Sequence, residues 1–301
     1  MIDYKIKTFI IVAQVSSFSK AAEILHITQP AVSQHISSIE NYFKCELFDK
    51  RKRTIKLTEE GELLYKYAIE MSRINDIVKD KIINSMSVVK KYKIGATMTI
   101  GSYIVPEILG EYKKIHPNID INLYVNNTYE VFERLKRGKI ILGLVEGPFD
   151  RSKYKYTKFK DDSLILVVSP EHPFAKRESV KVEEVLNDNL IVREKGSGTR
   201  MVLEKKLLLN GYKLDEKTVY MEIGNINAII SLVKLNLGCT IISREGIDDL
   251  LKDGTLIEIP IEHLNLNRTF DFVYIEDDDP FIKAFIEFCK KYSVRKNIQQ
   301  V

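Results

Sequence analysis

Two sets of polar residues in this 301-residue chain have the types and spacing to do chemistry. Gln29, Ser33, Gln34 and Ser37 recur at helical spacing, with Pro30 in what would be the first helical turn. Short amides and hydroxyls on one helix face can pair with base edges in the major groove of duplex DNA. The second set lies at the ends of apolar, strand-like runs. It comprises Thr97-x-Thr99, Asn126-Asn127-Thr128, Glu146-Gly147 and Arg193-Glu194-Lys195-Gly196-Ser197-Gly198-Thr199-Arg200. Hydroxyls and free backbone N–H groups at strand-to-helix turns, with Arg193 and Arg200 beside them, suit an oxyanion, while Glu146 suits an ammonium. The spacing also allows Glu146 simply to neutralise an arginine.

The first set needs a helix held at a fixed angle. Ser17 or Ser19 can cap one short helix and Thr28 a second, with Pro30 tolerated near its start. Val32, Ile36, Ile39 and Phe43 recur four, three and four apart, which predicts a buried stripe opposite the polar face. That is a helix-turn-helix with its second helix as the reader. Leu47-Phe48 and Thr54-Ile55-Lys56-Leu57 flank Asp49-Lys50-Arg51-Lys52-Arg53, predicting a small hairpin whose tip sets Arg51 and Arg53 along the phosphate backbone.

Charge separates this reading from an ordinary pair of packed helices. Residues 1–57 hold nine Lys and Arg against five acids, a surplus equal to the +4 of the whole chain. Everything after Leu57 is therefore neutral overall. Such segregation is what phosphate neutralisation requires.

Residues 1–61 resemble the amino-terminal domain of the LysR-type transcriptional regulators. The match runs through Phe9, Ala13, Ser17-Phe18-Ser19-x-Ala21-Ala22, Leu25, Thr28-Gln29-Pro30-Ala31-Val32-Ser33, Ile36, Glu40, Leu47-Phe48 and Leu57-Thr58-x-x-Gly61. Ser16 and Lys44 stand where that family usually has Gly. A left-handed cap at Lys44 would cost about 1 kcal/mol.

Length suits two or three folding units. No apolar run approaches a membrane span, and no export-type segment follows Met1. Cys45, Cys239 and Cys289 are odd in number and lack metal spacing, which points to packing residues in a reducing cytoplasm. From Glu59 to about Val88 the pattern Leu64, Tyr67, Met71, Ile74, Val78 predicts a long amphipathic helix that pairs with a second copy. A two-fold dimer would place two reading helices on half-sites ~34 Å apart or a multiple of it. After Lys91, strand-like runs at 92–96, 119–125, 140–145, 164–169 and 239–242 alternate with helical stretches at 103–115, 129–137, 200–210 and 226–237. That alternation predicts an α/β sheet.

Residues 92–301 resemble the effector-binding region of the same family. The implied fold class is α/β with an all-α winged helix-turn-helix at the amino terminus, a long linker helix and two Rossmann-like subdomains of periplasmic-binding-protein type. The implied boundaries are 1–58, 59–90 and 91–301, the last divided into 91–161 with 268–301 and 162–267. Ser169-Pro170-x-His172-Pro173 and Leu237-Gly238, with the turns above, resemble the branch containing regulators of sulfur assimilation and carbon fixation. That resemblance makes Thr97, Thr99 and Thr128 effector contacts, with Ser197, Thr199 and Arg200 opposing them. Met98 departs from the hydroxyl residue common there, and His172 reads as a structural loop residue. Asn127, Glu146 and Arg193 complete the candidate set. A small anionic or zwitterionic metabolite is expected, an acylated amino acid among the candidates. The resemblance further implies a tetramer, promoter DNA as partner and RNA polymerase as another, with no cofactor. An α/β enzyme carrying an appended DNA-binding domain is the alternative. It finds no nucleophile elbow, metal pair, Lys-centred cofactor motif or Walker sequence here. A free solute-binding protein would leave the basic amino terminus unexplained.

Overall fold

Each of the first three helices starts at a side-chain cap and stops on a left-handed residue. In the computed structural model, which describes residues 3–49, 55–276 and 279–299, α1 spans Tyr4–Val15, α2 Phe18–Leu25 and α3 Gln29–Phe43. Asp3, Ser17 and Thr28 accept from the backbone N–H groups of Lys5, Lys20 and Ala31. Ser17, of the two serines considered, is thus the cap of α2. The helices end at Ser16, His26 and Lys44, with φ of 50°, 54° and 55°. All three carry a Cβ in a region that glycine enters freely, at a cost of about 1 kcal/mol each.

Phe9, Val12, Ala21, Val32, Ile36, Ile39, Leu47 and Phe48 form the core of this unit. The expected stripe is buried as far as Ile39, but Phe43 is 49% exposed. It sits on the last residue of α3, past the reach of the two preceding helices, edge-on to Tyr42. Two short strands, β1 (Phe48–Asp49) and β2 (Lys56–Leu57), pair antiparallel with Phe48 opposite Leu57. The hairpin tip that carries Arg51 and Arg53 lies outside the described residues.

The long helix α4 spans Glu59–Met86. Thr58 caps it by accepting from Gly61 N–H and also donates to the Glu46 carbonyl, 2.7 Å away. A Cβ on Gly61 would stand 2.1 Å from the Leu47 carbonyl oxygen, so the helix start can approach the hairpin only through glycine. Leu64 is half-buried against the core, whereas Tyr67, Met71, Ile74 and Val78 are each about half exposed.

The chain forms two compact units, residues 1–87 with 136–139 and residues 88–135 with 140–301. The second unit begins with β3 (Lys90–Thr97), α5 (Met98–Tyr103), α6 (Val105–Ile115), β4 (Ile119–Asn126), α7 (Thr128–Lys136), β5 (Leu142–Glu146) and β6 (Lys155–Val168). It continues with α8 (Val182–Leu186), β7 (Leu190–Arg193), α9 (Gly198–Leu209), β8 (Met221–Ile223), α10 (Ile226–Lys234) and β9 (Cys239–Ser243). The last elements are α11 (Asp248–Lys252), β10 (Ile257–Ile259), β11 (Asn267–Tyr274) and α12 (Pro280–Gln299). The helix expected over 103–115 is α6, which starts at Val105, and the short α5 precedes it. Pro106 lacks the N–H that a continuous helix would use, and α6 restarts around it.

The strands order as β4-β3-β5-β11-β6-β9-β7-β8, with β10 also on β6. The first half of β6 pairs with β11, and the second half, from Leu164, pairs with β9 and β10. One sheet therefore carries separate buried clusters in its two halves. Ile94, Leu142, Leu144, Phe270 and Phe272 face α6 and α12, while Leu164, Leu166, Leu190, Val192 and Ile241 face α8 and α9. Cys239 and Cys289 are buried in these cores, where burial pushes both thiols up. Among the described residues no helix is long and apolar enough to cross a membrane.

Lys44→Gly should raise the unfolding free energy of the amino-terminal unit by about 1 kcal/mol, because it relieves a left-handed residue. Gly61→Ala should lower it by about 1–3 kcal/mol, although Gly→Ala within a helix ordinarily stabilises. Urea unfolding of the full chain followed by circular dichroism reads both signs.

Candidate functional site

The amino-terminal candidate is the outer face of α3. Gln29, Pro30, Gln34 and Ser37 are exposed there, and Ser33 is half-buried. Gln29 Nε2 donates to Ser33 Oγ across one turn, 3.2 Å, which leaves the Gln29 carbonyl oxygen and the Ser33 hydroxyl proton for an outside partner. The inner side of α3 is pinned to α1 by two polar contacts that sequence reasoning missed. Lys5 Nζ donates to Ser38 Oγ at 2.9 Å, and Thr8 Oγ1 meets His35 Nδ1 at 2.9 Å. Thr8 already donates to the Tyr4 carbonyl, so His35 is the donor.

The second candidate gathers at the carboxyl ends of β3, β5 and β7. Glu146 ends β5 on the face that carries Leu142 and Leu144, and it is 1% exposed. Its carboxylate accepts from Thr97 Oγ1 and, at 3.3 Å, from Thr99 Oγ1, while its carbonyl accepts from Thr128 Oγ1 at 3.2 Å. The start of α9 comes against this point. A Cβ on Gly198 would lie 2.1 Å from the Glu146 carbonyl oxygen and 2.7 Å from Thr128 Oγ1. Gly147, at φ 93°, faces Gly198 in turn. Asn127 caps α7 through Glu130 N–H, and Tyr129 N–H donates to the Gly196 carbonyl.

At the centre is a residue that sequence reasoning placed only at a crossing point. The Arg268 side chain is 2% exposed; Nε donates to Asp162 at 2.5 Å and Nη1 to Thr199 Oγ1 at 3.0 Å. Nη1 also lies 3.9 Å from the Glu146 carboxylate. Ser243 Oγ holds the other Asp162 oxygen at 2.7 Å. Glu146 thus does face an arginine, but one contributed by β11 rather than Arg193 or Arg200. No local signal marks it, because Asn267, Thr269 and Asp271 share the strand with Arg268 and its partners lie far away in the sequence.

Arg193 is 2% exposed and forks onto its neighbour Glu194 at 2.8 and 3.0 Å. Arg200 departs from its expected role as a direct anion partner. Its guanidinium is committed to Glu204, Glu222 and the Arg193 carbonyl, and it holds Glu222 below the usual carboxylate range. Three buried donors have no acceptor among the described residues: Arg193 Nη1, Ser197 Oγ and Arg268 Nη2. Leaving such a donor unmet costs about 1–3 kcal/mol, so each of the three is prepared for an acceptor. Tyr103 on α5 lies near Arg193, donating to Asn227 at 2.7 Å with its ring against Gly246. Burial pushes the Tyr103 phenol up, against the pull of the Arg193 charge. His172 is structural, since Nδ1 accepts from Phe174 N–H and Nε2 faces Asp188.

The chain matches the family models for the LysR substrate binding domain over residues 88–293 and the bacterial regulatory helix-turn-helix protein, lysR family, over 4–62. It is 32% identical over 291 residues to an uncharacterized HTH-type transcriptional regulator of Methanocaldococcus jannaschii, covering 95% of this chain and 97% of that one. It is 33% identical over 273 residues to the HTH-type transcriptional regulator CysL of Bacillus subtilis, 89% of each. The regulatory domain of Synechocystis PCC6803 CcmR, solved in complex with 2-PG, aligns at a TM-score of 0.61 and 20% identity, over 67% of this chain and 96% of that one.

Breaking the buried pair should be costly. Asp162→Ala strands the Arg268 charge and should destabilise the second unit by about 3–5 kcal/mol, whereas Asp162→Ala with Arg268→Met should recover much of that loss. Calorimetric unfolding of the two variants beside the parent chain gives the comparison.

Proposed function

Because the chain belongs to the LysR family of transcriptional regulators, we propose that a small anionic or zwitterionic metabolite at the Arg193–Ser197–Arg268 donors controls how α3 engages promoter DNA. The carrying observation is the coexistence of two features: an exposed polar face on α3 in one unit and buried donors lacking acceptors in the other. Gln29, Ser33 and Gln34 read base edges, Pro30 sets the entry of α3 into the groove, and Arg51 and Arg53 bind the flanking phosphates. Thr97, Thr99, Asn127, Thr128, Glu146 and Thr199 line or frame the metabolite site, and Arg200 secures the Arg193 backbone from behind. That CcmR was solved with 2-PG makes 2-PG a natural first compound to try.

The half-exposed row on α4 supports a homodimer, and two such dimers would make the tetramer that contacts RNA polymerase. The protein acts in the cytoplasm, as a binder and not as an enzyme. The metabolite alters DNA binding only by fitting one arrangement of the protein better than another. Footprinting on the DNA flanking its own gene, with and without a metabolite extract, should show a protected region whose extent changes with the extract. Equal affinity for genomic fragments and random competitor would end this reading.

The α3 assignment has its own readout. Gln29→Ala and Ser33→Ala should each reduce discrimination between operator and non-operator DNA by about 1–3 kcal/mol. Arg51→Ala and Arg53→Ala should weaken all duplexes alike and reduce the salt slope by about 1 each. Gel shifts over a salt series distinguish the two patterns.

A further inference from the structure

The two walls of the metabolite site have opposite hydrogen-bonding character. Thr97 and Thr99 both donate to Glu146, so at the ends of β3 and β5 only acceptor capacity is left, beside a buried carboxylate. By contrast Arg193 Nη1 and Arg268 Nη2 can only donate and the Ser197 hydroxyl has a proton to donate, and none of the three has a partner among the described residues. The two characters meet within a short span, since Glu146 lies 3.3 Å from Thr99 Oγ1 and 3.9 Å from Arg268 Nη1. An oxyanion drawn to the three donors is thereby brought close to the Glu146 charge. That approach is unfavourable in a buried site unless a proton donor stands between them.

Resting on the metabolite reading above, we infer that the effector is a small acid bearing a hydroxyl or ammonium group within one or two carbons of its oxyanion. The oxyanion takes the Arg193, Ser197 and Arg268 donors. The neighbouring hydroxyl or ammonium donates to the wall made by Thr97, Thr99 and Glu146. A simple inorganic anion satisfies one wall and leaves the other facing it with lone pairs and a negative charge.

The test uses the full chain and matched acids: lactate and alanine against propionate, malate and aspartate against succinate, and phosphoserine against 3-phosphopropionate, with sodium sulfate as the plain anion. Thermal unfolding midpoints are followed over concentration at constant ionic strength. In at least one set the hydroxy or amino acid should raise the midpoint saturably, with its unsubstituted counterpart at least about tenfold weaker, because a site built to receive a donor rejects the analogue lacking it. Ser197→Ala should weaken the preferred acid severalfold. Sulfate or an unsubstituted acid binding as tightly as its substituted counterpart would overturn the inference and leave the oxyanion reading standing. Stabilisation by none of these acids overturns the inference as well. Stabilisation confined to neutral or cationic compounds overturns both.

Discussion

A buried guanidinium joins the two halves of the large sheet. Arg268 projects from β11 and meets Asp162 on β6, Thr199 at the start of α9 and Glu146 at the end of β5. Removing such a charge from water costs several kcal/mol, and the cost is offset only when its N–H groups find acceptors in good geometry. Here Nε and Nη1 do, while Nη2 has no acceptor among the described residues. The fold has thus placed a costly side chain, one donor short, where β6 passes from one half of the sheet to the other. An acceptor supplied at that point changes the electrostatics of both halves at once.

The backbone around Arg268 shares this economy of space. Gly147 and Gly198 let the end of β5 and the start of α9 come within a distance that any Cβ would prevent. Thr128 closes the contact with a hydrogen bond to the Glu146 carbonyl. The turns read as separate ligand candidates are therefore also the contact between the halves. On the proposed reading a molecule bound there would touch that contact, and it would shift the arrangement only by fitting one form better than another.

What was legible in the sequence follows from local chemistry. Thr28, Pro30 and the Val32–Ile36–Ile39 spacing determine α3 without help from elsewhere, as Thr58 and Gly61 determine the start of α4. The strands β5, β7 and β9, with the second half of β3, are buried on both faces and read as largely apolar runs. The first half of β6 and β11 were not legible from such runs, because Lys155, Lys158, Asp161, Asp162, Asn267 and Arg268 interrupt them. Their strand character comes from pairing across about a hundred residues, as in Arg268 opposite Asp162. Arg268 stayed hidden for the same reason. Its partners lie on β5, β6 and α9, and nothing in its own neighbourhood announces them. Phe43 failed in the opposite sense: its spacing fits the stripe, but at the last residue of α3 it is half exposed.

The proposed pairing along α4 follows from what one copy of α3 can achieve. Three side chains at its outer face, each worth about 1–3 kcal/mol of discrimination, total about 3–9 kcal/mol, short of the upper part of the roughly 4–10 kcal/mol that separates specific from non-specific DNA binding. The Gln29–Ser33 hydrogen bond lowers the gain further, since forming a base contact must compete with it. Two copies of α3 held at a fixed spacing add their discrimination in a single binding event. Tyr67, Met71, Ile74 and Val78, about half exposed along one helix, are the residues whose burial can supply that fixed spacing. On the proposed reading the apolar row and the short polar face are thus complementary, since pairing along the first would let two copies of the second add their discrimination.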